Sequence, residues 1–253
     1  MAGGVGWDGG MPFTLSHVAV VGVLGRGRVV GVGLVAGAMA PDVPYFADSV
    51  LPGVYRWGGV THRWWGVGTV DVAVAGVMAA GWCGLLRGPV TGLLPEPAAG
   101  GGRAEPGRPG WFAVSAALGA ASHVGWDAFT HRGRAGVRAF PVLARPVGGV
   151  PLYTVLQYGT SLLGLAVLAR RAVDRYDLAA APSGVSRAGR RAVVAGLAAA
   201  AAAGAVHRLR RRNAGRGRVD EACFGAGAGL VLGAAAYALG EAVRGGRAGA
   251  QRK

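Results

Sequence analysis

Apolar residues in this chain come in long runs separated by short polar connectors. Gly66–Leu86 is interrupted only by Asp71, and Pro109–Trp126, Pro151–Ala169, Ala192–Val206 and Ala222–Gly240 carry no charged residue. A helix rises 1.5 Å per residue, so about 20 apolar residues cross the hydrocarbon core of a bilayer. The pattern predicts about five spanning helices, the second continuing to His131. Two short N-terminal helices precede them, near residues 14–24 and 29–40, the latter on a run too short to span. The run at 192–206 is short and Ala-rich, and so inserts most weakly. The expected fold class is all-α, a multi-pass helical membrane protein.

The connectors divide the chain. Residues 1–10 (MAGGVGWDGG) have neither a basic start nor an apolar core, which excludes a signal peptide and leaves a disordered extension before Met11. Residues 11–172 form a helical membrane domain that carries nearly all the unusual polar residues. Residues 173–253 read as an Arg-rich linker and two C-terminal membrane helices, an anchor appended to the functional part. Leu94–Gly110 is a Pro/Gly-rich loop, and Arg170–Arg191 and His207–Arg218 are Arg-rich links.

Composition narrows the class further. Hydrophobic residues make up 52% of the chain and charged ones only 15%, and there are 48 Gly, which disfavours both disorder and an ordinary soluble enzyme. The net charge of +15 would suggest nucleic acid in a soluble domain. Here the basic residues are all Arg except Lys253, and they lie between apolar runs, as expected at lipid headgroups. No aromatic–basic interleaving accompanies them, so the expected partner is membrane lipid and not nucleic acid. Two Cys supply neither a disulfide framework nor metal-ligand spacing.

The chemistry-capable residues cluster. His123, Asp127 and His131 follow one another at four-residue steps, so one helix face presents all three. Ligands one turn apart reach a single metal in helical zinc motifs. Threading the helices back and forth brings His62, Asp127, His131, Tyr153 and Gln157 to the same membrane face. His17 and Asp42 can join them without crossing the bilayer. A carboxylate among apolar helices costs several kcal/mol unless it is paired, hydrogen-bonded or metal-bound. A divalent cation would meet that need for Asp127. Other readings stay open at each position: interhelical hydrogen bonding for the His123 triad, an interfacial role for His62 beside Trp64 and Trp65, a helix start for His17 and a turn for Asp42. Asp71 reads as a structurally paired carboxylate, and His207 as a solvated residue.

The segments MPFTLSH, GAMAPDVPYF, THR, SHVGWDAFTH and PLYTVLQYGTSLLG together resemble a bacterial membrane family known as domain of unknown function 4184. The order of His and Asp residues is more distantly similar to YdjM-type membrane-bound metal-dependent hydrolases and to the zinc-dependent phospholipase C and P1 nuclease group. That resemblance implies a metal site of Asp42, His62, His123 and Asp127, with Asp127 bridging to a second metal. It implies further ligands in His17 and His131, and Asp42 as the group that orients or deprotonates water. The later His-x3-Glu pair of the soluble enzymes is missing, so one metal or two is the expectation. Gln157 is a second candidate for a catalytic role.

These features point to an integral-membrane, metal-dependent hydrolase of phosphoester bonds in lipid or lipid-linked substrates. Zinc is the expected metal, with manganese and iron as alternatives. Arg132, Arg134 and Arg138 on the same face would attract a phosphate. The opposing reading is a non-catalytic transport subunit or scaffold whose His/Asp cluster is structural. A haem site would leave Asp42 and Asp127 unexplained. The two sides of the membrane carry nearly equal basic charge, so orientation stays open.

Overall fold

The computed structural model describes residue 14 and residues 17–19, 30–95, 109–176, 185–211 and 217–250. The expected extension at 1–10 lies outside these, as do most of the helix near 14–24 and the middles of the loop before Gly110 and of both Arg-rich links. Thr14 and His17–Ala19 are helical. Then follow α1 (Gly31–Met39), a 3₁₀ turn (Ala40–Asp42), α2 (Val43–Ala47), α3 (Gly58–Thr61), α4 (Trp64–Val67), α5 (Val70–Gly81) and α6 (Arg87–Thr91). The second half holds α7 (Pro109–Thr130), α8 (Ala135–Ala139), α9 (Leu152–Arg175), α10 (Arg187–Arg210) and α11 (Arg218–Ala250). A minimal hairpin pairs Pro146 with Pro151 and Val147 with Val150, turning through Gly148 and Gly149, both at positive φ.

This is a helical membrane protein. Four helical stretches are long and apolar enough to cross a bilayer: Trp64–Thr91, Leu152–Arg175, Arg187–Arg210 and Arg218–Arg244. The first is α4 to α6, with a π-helical turn at Trp82–Leu86. The Ala-rich run at 192–206 therefore sits inside a qualifying helix. The fifth expected span, α7, is 22 residues long. It is not among the four; it carries Ser115, Ser122, His123 and Asp127 and buries all of these but Ser122.

Small residues set the packing. Gly33 and Gly37 of α1 face Ser115, Ala116 and Gly119 of α7, and a Cβ on Gly37 would overlap the Ala116 backbone. One on Gly119 would overlap the Leu34 carbonyl. The two helices thus cross at backbone contact, the small-xxx-small arrangement by which apolar helices associate in lipid. Ser115 Oγ accepts from Val30 N at 2.9 Å at the same crossing. Ala36, Ala40, Ala75 and Ala116 fill the core between α1, α5 and α7, with Val72, Val74, Met78 and Phe112 around them.

The C-terminal helices pair in the same way. Gly204 and Ala200 of α10 meet Gly225 and Gly229 of α11 with no room for a Cβ on any of the three glycines. This hairpin is more than an appended anchor. Gly227 of α11 packs against the Phe46 ring, Phe224 packs against Tyr45, Phe46 and Tyr55, and Arg208 reaches the α2 segment.

Candidate metal centre

The α1–α7 crossing places the first ligand candidates. Gly119 sits against Leu34, and four residues further along the same face His123 reaches α1, where its Nδ1 donates to the Ala38 carbonyl at 2.7 Å. A carbonyl only accepts, so Nδ1 carries the proton and Nε2 faces inward. Asp127 lies one turn beyond His123, and His131 just past the helix end.

His62 is held in a parallel way. Its Nδ1 donates to the Gly58 carbonyl at 2.9 Å, closing the short turn of α3. Thr61 Oγ1 donates to the Pro41 carbonyl at 2.6 Å, which ties α3 to the turn that carries Asp42. Thr14 Oγ1 donates to Asp42 Oδ2 at 2.5 Å, leaving Oδ1 toward the histidines. Thr14 lies three residues before His17, on one helical face, and that spacing within MPFTLSH was the available signal for it.

Two histidine nitrogens then face the same two carboxylates, and Asp42, His62 and His123 each bring a ligand atom within 4.8 Å of the other two. His62 Nε2 lies 3.6 Å from Asp42 Oδ1 and 3.4 Å from Asp127 Oδ2. His123 Nε2 lies 3.6 Å and 3.5 Å from the same two oxygens. Ligands bonded at 2.0–2.2 Å in a tetrahedron stand roughly 3.3–3.6 Å apart. Good hydrogen bonds are shorter, about 2.7–3.2 Å. In keeping with this, Asp42 Oδ1, His123 Nε2 and both Asp127 oxygens are buried with no hydrogen-bond partner among the described residues. Such orphaned groups are costly, and a cation is the partner that a mixed His/Asp donor set fits.

Asp127 Oδ1 faces a second pair. It is 3.8 Å from His17 Nε2 and 3.7 Å from His131 Nδ1, and the His17 and His123 rings stack with centroids 4.0 Å apart. All six expected ligand residues therefore meet around Asp127 and Asp42. Gln157 on α9 stands behind them, its amide nitrogen 3.2 Å from His131 Nε2. If that nitrogen donates, His131 bears its proton on Nδ1. A ligating Nδ1 needs the amide turned so that its oxygen accepts from Nε2. Tyr153 is buried one turn earlier on α9.

Charge is balanced inside the cluster. Burial by itself would raise the Asp42 carboxyl, but His123 and His62 outweigh it and hold it well below the usual carboxylate range. Burial would lower His62, yet the Asp127 and Asp42 carboxylates facing it leave it raised. His17 is lowered to about 4 by burial and then by His123. Arg134 lies within electrostatic reach of His131 and Tyr45, which puts a positive charge beside the cluster. Trp57, Trp64 and Trp65, flanking His62 in the chain, are exposed, as is Phe140.

Asp71, expected to pair with another group, has both oxygens buried without a hydrogen-bond partner among the described residues. The link His207–Arg218 also differs from expectation, since α10 runs to Arg210 and buries Arg208. No curated protein and no solved structure matches the chain. One family does, described as Domain of unknown function (DUF4184), over residues 11–239, a span that takes in the site, all of α10 and about two thirds of α11. The chain belongs to the DUF4184 family.

Proposed function

We propose that this protein is a multi-pass, integral cell-membrane hydrolase that depends on a divalent metal, zinc first, and acts on phosphoester bonds of lipid or lipid-linked substrates. The observation that carries the reading is the set His62 Nε2, His123 Nε2, Asp42 Oδ1 and Asp127 Oδ2, with cross-distances of 3.4–3.6 Å. In a packing cluster each histidine would pair with its own carboxylate. Here His62 and His123 each stand near both carboxylates, which supports ligation around a common point. His17 and His131 outline a second position that shares Asp127.

A bound divalent cation supplies Lewis acidity and a water that ionises near neutral pH. The chain's own residues do the rest. Gly58 and Ala38 fix the imidazole tautomers through their carbonyls. Thr14 holds one Asp42 oxygen, so the other, Oδ1, is turned toward the centre as a ligand. Arg134, beside His131, favours an anionic group near the cluster. The exposed tryptophans suit headgroup depth, where an amphiphilic substrate presents its phosphate.

The test is phosphate or headgroup release from a panel of phospholipids and lipid-linked phosphates in mixed micelles with zinc. Turnover by the wild type, lost in Asp42→Asn and in His123→Ala, is the expected result. Equal turnover in all three would overturn the proposal. Metal retention without turnover on any substrate class would favour a structural role for the cluster.

A further inference from the structure

The buried residue of α10 is an arginine. Arg208 is 2% exposed, while the rest of that helix is at least partly open to its surroundings. Its Nε donates to Glu221 Oε2 at 2.6 Å, its Nη2 lies 3.2 Å from Asp48 Oδ2, and its Nη1 donates to Ser49 Oγ at 3.0 Å and to the Tyr45 carbonyl at 3.1 Å. The guanidinium also lies about 6 Å from the ring centres of Tyr55 and Phe224. A buried ion cluster of this kind stabilises little more than apolar packing of the same volume would. Its directional bonds fix one arrangement among several, a role attested for buried polar groups.

The arrangement it fixes leads to the metal centre. Tyr45 follows Asp42 by three residues, and its ring is pressed against Gly58 so closely that a Cβ there would overlap ring atoms. The same ring lies 5.5 Å from His62. Gly58 in turn supplies the carbonyl that receives His62 Nδ1. The contacts run from Arg208 to the Tyr45 backbone, from the Tyr45 ring to Gly58, and from Gly58 to the His62 imidazole. Gly58 is required here because no larger residue fits beneath the ring.

We infer that Arg208 is a positioning residue for His62, so that the C-terminal hairpin is a working part of the centre. The metal-binding part of the claim rests on the proposed function, while the positioning part can be read without metal. Arg208→Met keeps the side-chain volume and removes the bonds; Arg208→Lys keeps the charge and loses the fork. In metal-free, full-length protein, modification of His62 by diethyl pyrocarbonate, followed by mass spectrometry, should rise at least about fivefold in Arg208→Met, with His123 unchanged and Arg208→Lys between. Zinc affinity, by chelator competition, should weaken about 10–100-fold, the usual cost of losing an outer support.

Gly58→Ala attacks the same path from its other end with the Arg208 bonds intact. It should give the same two changes even where Arg208→Met does not fold. Unchanged His62 protection in folded variants of both kinds overturns the inference. If the wild type binds no zinc but His62 protection is lost, the positioning link stands and the metal-centre reading falls.

Discussion

His123 and Ala38 lie 85 residues apart, yet the His123 Nδ1 donates to the Ala38 carbonyl at 2.7 Å. That bond exists because α1 and α7 touch at backbone distance through Gly37 and Gly119. Helix packing and ligand orientation are therefore one event, and damage to the first should be read at the second.

Gly37→Val puts a branched side chain into the Ala116 backbone. The expected loss is about 1–3 kcal/mol of stability, accompanied by loss of bound metal as His123 turns away from the cluster. Gly76→Val, in open space on α5, should leave both unchanged. Thermal melts in detergent with metal analysis of the same samples check this. Retained metal in a destabilised Gly37→Val would separate packing from ligation.

Much of this was legible in the sequence. The apolar runs marked the membrane helices, and the four-residue spacing of His123, Asp127 and His131 put them on one face. The alternating direction of the helices brought His62 to the same end. The supports were not legible, because they are backbone carbonyls and close contacts between distant segments. Ala38 and Gly58 act through their main chain, which no side-chain pattern reports. Arg208, in the string HRLRRR, looks like its solvated neighbours, and only its contacts with Tyr45, Asp48, Ser49 and Glu221 show that it is buried. α7, expected as a fifth span, is not among the stretches long and apolar enough to cross a bilayer, and it carries the His and Asp residues of the site.

Proton and metal compete at His62. Its folded-state value is raised, so below that value a metal must displace a proton from Nε2, and apparent affinity falls about tenfold per pH unit for each proton released. Metal-free protein behaves in the opposite sense. The His62 contribution to its stability is full below the ordinary histidine range and is lost as pH rises through the raised value. The contribution of Asp42 is present above the ordinary carboxylate range and is lost as pH falls through its depressed value. The stabilisation gained on adding zinc should therefore grow with pH between roughly 5.5 and 8.5. Melting curves with and without zinc measure it; a gain that is flat with pH would remove His62 from the ligand set.

Gln157 sits against His131, one of the two histidines that outline the second position. Gln157→Ala should thus leave the metal held by Asp42, His62, His123 and Asp127 in place. A second equivalent, on His17, His131 and Asp127, should weaken about 10–100-fold. Titration calorimetry on metal-free protein resolves the two, and equal weakening of both would show that Gln157 supports the whole cluster.

Asp71 has no hydrogen bond among the described residues and lies in a helical stretch long and apolar enough to cross a membrane. Asp71→Val, nearly equal in volume, should raise stability by about 1–3 kcal/mol with metal content unchanged. A fall in stability or in bound metal would show that this carboxyl has a partner in use.

The central claim is that one cation sits between two histidines and two aspartates. Elemental analysis of detergent-purified protein tests it most directly, comparing the wild type with Asp127→Ala, without a polyhistidine tag. The account predicts near-stoichiometric zinc or manganese in the wild type and its loss in the variant. Absence of metal from both, even after reconstitution, would contradict it and leave the cluster as a device that packs helices.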